Sequence, residues 1–148
     1  MPHGESTKNS GNFSDLLKFR VDAGDKDFEI QEEANFSKYF SVMADESADI
    51  SGHEQLSIGI RYVHEQNENF TVNAEFLGFV QLKKLNADCI AVSILEFMEK
   101  SGLNFDKLVA QGYDECSTMA GEIHGVQKII RDKYKKVIHF HCAYHRLN

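Results

Sequence analysis

Apolar and polar residues alternate along two stretches of the chain and recur at helical spacing along others. Leu56, Ile58, Ile60 and Tyr62 fall on one side of an extended segment, with Ser57, Gly59 and Arg61 on the other. Phe70, Val72, Ala74, Phe76, Val80 and Leu82 share one phase over the next. A period of two is what a strand with one buried face produces. Tyr39 to Asp45 (YFSVMAD) is a short apolar run ending in a carboxylate, and it precedes both as a first strand. Gln66-Asn67-Glu68-Asn69 suits the turn between the second and third strands. The period then changes. Asn86 can cap a helix whose stripe is Ile90, Ile94, Phe97 and Met98, running to Gly102. Leu108 to Asp114 (LVAQGYD) reads as a strand that again ends in a carboxylate. Ser117 to Tyr134 reads as one helix, with Ile123, Val126, Ile130 and Tyr134 in step. Val137 to Cys142 (VIHFHC) is a last strand, and Ala143 opens a further helix.

The beginning of the chain is less patterned. Residues 1–12 read as a loose polar tail. Phe13 to Phe19 has helical spacing, with Phe13, Leu16 and Leu17 on one side. Ala23 to Glu33 is acidic and reads as loop or marginal helix. Residues 1–34 are therefore expected to be a polar tail and short helix, partly disordered, and residues 35–148 the folded core. The order β-β-β-α-β-α-β-(α) predicts an α/β fold: a mixed sheet with helices on its faces, incomplete at the C-terminus. Phe36, Phe40, Phe76, Phe79 and Phe97 are expected in the core.

Composition narrows the class. The chain has 148 residues, 42% hydrophobic and 26% charged, which fits one globular domain and excludes disorder throughout. A single Pro, ten Gly and no long apolar run exclude collagen-like and membrane-spanning readings. Sixteen Lys and Arg stand against 23 Asp and Glu, a formal charge of −7. Such a chain is a poor non-specific DNA binder, because Lys and Arg drive phosphate binding. Basic residues gather in the last third. Lys128, Arg131, Lys133, Lys135, Lys136 and Arg146 are the candidates for nucleic-acid contact, with a solvated helix face as the plainer reading. Cys89, Cys116 and Cys142 are few and far apart, and no secretory signal is visible. A reducing intracellular compartment is expected.

Two groups of residues carry candidate chemistry. Asp45 and Asp114 each end a strand. If those strands are neighbours, the two carboxylates can share Mg²⁺, a hard cation that takes oxygen ligands. Such ions support phosphodiester cleavage by activating a water or hydroxyl and stabilising the leaving oxygen. The competing reading is that both residues only cap turns. His139, His141, Cys142 and His145 form the second group. On a strand, His139 and His141 point to one face and Cys142 to the other, so zinc, which needs four converging ligands, is not expected. A Cys–His nucleophilic pair lacks any residue to orient it.

The segments YFSVMADESADISGHEQLSIGIRYV, EFLGFVQL, GYDECSTMAG, GVQKIIR and HFHCAYHRLN resemble the catalytic core of hAT-type transposases. The nearest group is the transposon-derived zinc finger MYM-type protein 1-like set, which carries a domain of unknown function here. The resemblance implies an RNase H-like fold with sheet order 3-2-1-4-5. It implies that Asp45 and Asp114 are the first two catalytic, metal-binding acids, with Mg²⁺ or Mn²⁺ as cofactor and Cys142 and His145 as a supporting motif. The family's third acid, a Glu, lies beyond HRLN and is absent from this chain, and Glu115 and Cys116 depart from the family's GYDGA. The expected function is thus a transposable-element domain related to metal-dependent DNA cleavage and transfer, inactive alone, and truncated. DNA is the implied partner, bound weakly by this chain, and the location implied is the nucleus. The exposed C-terminal edge is expected to suit a protein partner. The alternative is a non-catalytic nuclear module binding nucleic acid or protein, or a decaying gene product.

Overall fold

The computed structural model describes residues 26–48, 50–114 and 116–141. In chain order these form α1 (Lys26–Phe36), β1 (Phe40–Ala48), β2 (Glu54–Gln66), β3 (Asn69–Gln81), α2 (Ala87–Lys100), a 3-10 turn (Phe105–Lys107), β4 (Leu108–Tyr113), α3 (Ser117–Ala120), α4 (Val126–Lys133) and β5 (Ile138–His141). The sheet order is β3-β2-β1-β4-β5, as expected for an RNase H-like arrangement. β1, β2 and β3 pair antiparallel, and β4 lies parallel to both β1 and β5. The expected helices at Phe13 to Phe19 and from Ala143, and the tail, fall outside the described residues.

Local sequence explains most of these elements. The two-residue turn at Asn67 and Glu68 puts both residues at positive φ, 50° and 64°, the twist that a tight hairpin needs. The Asn86 side chain accepts a hydrogen bond from the Cys89 amide at 2.9 Å and starts α2. Its stripe, Ile90, Ala91, Ile94 and Met98, is fully buried. Gly102, at φ +70°, ends it, with the Leu103 amide bonded back to Met98.

α1 arises where the sequence shows little periodicity. It buries only Phe28 and Ala34, and its other attachments are long-range. Asn35 and Gln31 donate to the Gly102 carbonyl at 2.8 and 3.2 Å, and Lys107 caps the carbonyls of Asn35 and Ser37. The Tyr62 hydroxyl donates to Glu33 at 2.6 Å. Burial and that carboxylate push the Tyr62 phenol up to about 12.

The single helix expected over Ser117 to Tyr134 is two helices. The chain breaks between Gly121 and Gly125, whose backbones touch through the Gly125 amide and Gly121 carbonyl at 3.0 Å. The phase of β3 also shifts. Gly59 pairs with Phe76 and Ile58 with Gly78, so Leu77 is an extra residue. Gly78 has φ +153°, and a Cβ there would lie 3.1 Å from the Phe97 ring of α2.

Both crossovers, β3-α2-β4 and β4-α4-β5, step the same way across the sheet. Right-handed connections then put their helices on one face. α1 lies there too: Ala34, Ile90, Ile94, Val126 and Ile130 share one core with Phe40, Val42, Leu56, Ile58 and Ile60. Among the described residues the other face carries no helix. Of the five phenylalanines expected in the core, Phe40 is buried and Phe97 packs against the core. Phe76 and Phe79 stand on the bare face, 55% and 56% exposed, and Phe36 at the end of α1 is 90% exposed. Ile138 and Phe140 of β5 are exposed as well.

Candidate functional site

The parallel register of β1 and β4 builds the site. Met43 pairs with Gly112, and Asp45 and Asp114 each lie two residues further on. Side chains two apart return to the same face, and neighbouring strands are about 4.8 Å apart. The two carboxylates therefore stand side by side at one rim of the sheet, on its bare face. Both line a cavity of about 730 Å³, with Ser57, Gly59, Arg61 and Gly112. Glycine at 59 and 112 keeps the floor open next to the Met43 side chain.

A third acid belongs to this rim, and sequence reasoning passed over it. Glu46 follows Asp45 and is half-buried, and its Oε1 is enclosed without a hydrogen-bond partner. Burial raises its carboxyl above the ordinary value of 4.5, and the charges of Asp114, Glu54 and Asp45 push it further. The only signal in the sequence was its position beside Asp45.

This arrangement carries a pH dependence with a definite sign. The folded state holds the Glu46 proton to higher pH than the unfolded chain does. Stability is therefore fully kept below pH 4.5 and declines as pH rises through the raised value. Glu46→Gln is expected to stabilise the protein at neutral pH and to flatten that decline. Urea midpoints from about pH 4 to about pH 8 read this directly. A variant with the wild-type slope would show that Glu46 is not the group responsible.

Asp114 accepts a long hydrogen bond, 3.4 Å, from the Cys116 amide, so it also performs the turn-capping role. Burial, the hydrogen bond with Asp114 and the negative charges of Asp114 and Glu46 push the Cys116 thiol up. That surrounding disfavours a thiolate nucleophile.

The histidines of β5 sit on the packed side of β4. His139 stacks on Tyr113, ring centres 5.8 Å apart, and meets His141 edge-on at 4.8 Å. Burial, then the positive neighbours His141 and Arg131, lower the His139 pKa. The Tyr113 hydroxyl, Gln111 Oε1 and His139 Nε2 are all enclosed and unpartnered. No group of three His, Cys, Asp or Glu that could hold a metal occurs among the described residues. Cys142, His145 and Arg146, and with them the supporting motif, lie outside those residues, as does Glu115.

The described basic candidates Lys128, Arg131, Lys135 and Lys136 are each engaged by a polar group of the chain itself. Lys128 and Lys135 both pair with Asp132, the latter at 3.5 Å. Arg131 donates to Gln127 at 3.3 Å, and Lys136 to the Asp106 carbonyl. Asp132, fully exposed, is lowered by its hydrogen bond from Lys128 and by the Lys135 charge. Among the described residues no helix is long and apolar enough to cross a membrane.

Comparison with known proteins gives this geometry a lineage. Residues 26–125 match the family described as the ZMYM1/FAM200, RNase-like domain, and Asp45, Glu46 and Asp114 fall within that stretch. The chain is 30% identical over 117 residues to the 52 kDa repressor of the inhibitor of the protein kinase of Homo sapiens. The protein of that name in Mus musculus is 28% identical over the same length. Each match covers 78% of this chain and 15% of the relative, so the chain spans a small part of both. Among solved structures, YeaZ from Pseudomonas aeruginosa aligns with a TM-score of 0.33 at 11% identity, over 70% of this chain and 44% of that one. By the matched length and by its sheet order, the chain belongs to the ZMYM1/FAM200 RNase-like domain family.

Proposed function

We propose that the chain is a hAT-transposase-derived RNase H-like domain that retains a two-carboxylate site for Mg²⁺ or Mn²⁺ but performs no DNA strand transfer on its own. The observation that supports this most is the pair of carboxylates, Asp45 and Asp114, side by side on neighbouring parallel strands. Their oxygens suit a hard cation, and Mg²⁺ is often held by one or two carboxylates with water completing its shell. Bound there, a divalent ion would polarise a phosphodiester oxygen and lower the pKa of a water. Asp45 and Asp114 would hold the ion, and the carboxyl of Glu46 nearby would add to the negative field that attracts it.

Mn²⁺ titration followed by electron paramagnetic resonance tests this reading. Weak binding is expected, and Asp45→Asn should reduce it at least about tenfold, the effect that even outer-shell partners of metal ligands have. Equal binding by the variant would refute the site. Metal-dependent nicking of DNA that Asp45→Asn abolishes would instead refute inactivity.

A second reading is a nuclear, non-catalytic module that binds protein or nucleic acid. The internal pairing of Lys128, Lys135, Arg131 and Lys136 favours a protein over a nucleic acid as its partner, since cations engaged locally contribute less to phosphate binding. The relatives are named as a repressor, which is a regulatory description.

A further inference from the structure

β3 is the longer of the sheet's two edges. It runs 13 residues, and the sheet order leaves its outer side without a strand among the described residues. The other edge, β5, has four residues. An unpaired edge is a template for another chain, and edge strands carry Lys, Pro, a bulge or a short length against it. β3 holds no Lys, Arg or Pro, and Glu75 is its one charge. Phe70, Val72 and Phe76 stand on it 68%, 63% and 55% exposed. The one such device is the bulge at Leu77, which ends the regular part of the strand.

The hairpin fixes which main-chain groups this edge offers. Gln66 and Asn69 flank the two-residue turn and form its hydrogen-bonded pair. Alternate residues from Asn69 therefore spend their N–H and C=O groups on β2: Thr71, Asn73 and Glu75. Phe70, Val72, Ala74 and Phe76 turn theirs outward. The usable edge is thus Phe70–Phe76, closed at one end by the turn and at the other by the bulge. Its side chains alternate as well. Phe70, Val72, Ala74 and Phe76 lie on the bare face of the sheet, and Thr71, Asn73 and Glu75 on the helical face.

We infer that this edge pairs antiparallel with β3 of a second copy of the chain, about a twofold axis at Asn73, to make one continuous ten-stranded sheet. Asn73 is the midpoint of Phe70–Phe76, so this register alone uses the whole edge. Phe70 then pairs with Phe76 of the copy and Val72 with Ala74, and each pair exchanges both of its main-chain bonds. On the bare face the two phenylalanines meet across the junction, a favourable cross-strand pair. On the helical face Glu75 meets Thr71, and the short Asn73 meets itself. An axis at Glu75 would oppose like charges, and an axis at Ala74 would run Phe70 into the bulge at Gly78. The edge is thus complementary to itself in length, charge and side-chain pairing, which a foreign strand need not be. Asp45 and Asp114 lie on β1 and at the end of β4, away from this edge, so the inference stands apart from the metal site.

Residue-resolved hydrogen exchange on the full 148-residue chain tests it. Amides of Phe70, Val72, Ala74 and Phe76 are expected to slow at least about tenfold as the chain is raised from about 10 μM to about 1 mM, because mass action fills the ladder. Those of Thr71 and Glu75 already bond to β2 and should change less. Ala74→Pro removes an outward N–H that β2 does not use, and should abolish the slowing. Should that variant fail to fold, cross-linking decides. Mild oxidation of Asn73→Cys should join two chains through position 73, since such a pair holds its Cα atoms about 4.5 Å apart, within disulfide reach. Thr71→Cys should not link, its two copies lying about 13 Å apart. Outward amides that stay fast at both concentrations would overturn the proposal and leave the edge to a foreign strand. A dimer with fast outward amides would overturn it by placing the contact on the bare face. So would a link at position 71 in preference to 73, or slow exchange indifferent to concentration, which would assign the edge to a segment of the same chain.

Discussion

Replacing Phe40 with alanine is expected to cost about 3–5 kcal/mol of stability, the range for removing a buried phenylalanine. Phe40 is 1% exposed and opens β1, where it pairs with Tyr62 on β2 and meets Leu108 on β4. It therefore fills the seam between the antiparallel half of the sheet and the parallel half. The lost ring leaves a space that cannot close, because strands fix it on both sides. A typical domain has only about 5–15 kcal/mol in total. A large fall in the urea midpoint with an unchanged slope is the expected result. A loss under about 1 kcal/mol would mean that the seam collapses around the deletion.

Gly125→Ala is expected to be nearly as damaging for the opposite reason. An added methyl would sit 2.3 Å from the Gly121 amide nitrogen, 2.5 Å from its carbonyl oxygen and 2.7 Å from its Cα. All three are backbone atoms, so no side chain can swing aside. Overpacking commonly costs about 1–3 kcal/mol, and the upper end is expected here. The damage should concentrate between α3 and α4. Gln127 donates to the Gly121 carbonyl at 3.2 Å, and its own carbonyl accepts from buried Gln111 at 2.9 Å. Opening the glycine contact would loosen that chain of bonds from α4 to β4. Thermal unfolding gives the size of the loss, and hydrogen exchange in α4 gives its place. A variant with wild-type protection in α4 would contradict this account.

The sheet was legible because its signals are local. Alternation at Leu56, Ile58, Ile60 and Tyr62, and the turn at Asn67 and Glu68, need no knowledge of the rest of the molecule. The same holds for the Asn86 cap and the stripe of α2. α1 was not legible in this way. It is fixed by bonds to Gly102 and Tyr62, tens of residues along the chain. The exposure of Phe76 and Phe79 was missed because alternation tells that a strand has two faces, not which one the helices cover. That choice follows from the handedness of two crossovers, a property of the whole topology. The carboxylates were picked out by their place at strand ends. Glu46 was not, since its environment depends on three other acids, Asp114, Glu54 and Asp45, brought close to it by folding.

The one-sided placement of the helices has a consequence for how the molecule behaves among others. Phe76, Phe79 and Phe140 form a greasy wall open to the medium, flanked at one end by fixed negative charge. That wall favours association, since a net charge of −7 spread over the surface keeps molecules apart only at low ionic strength. Added salt would remove the repulsion and leave the stickiness, so the protein is one to keep dilute and poorly salted.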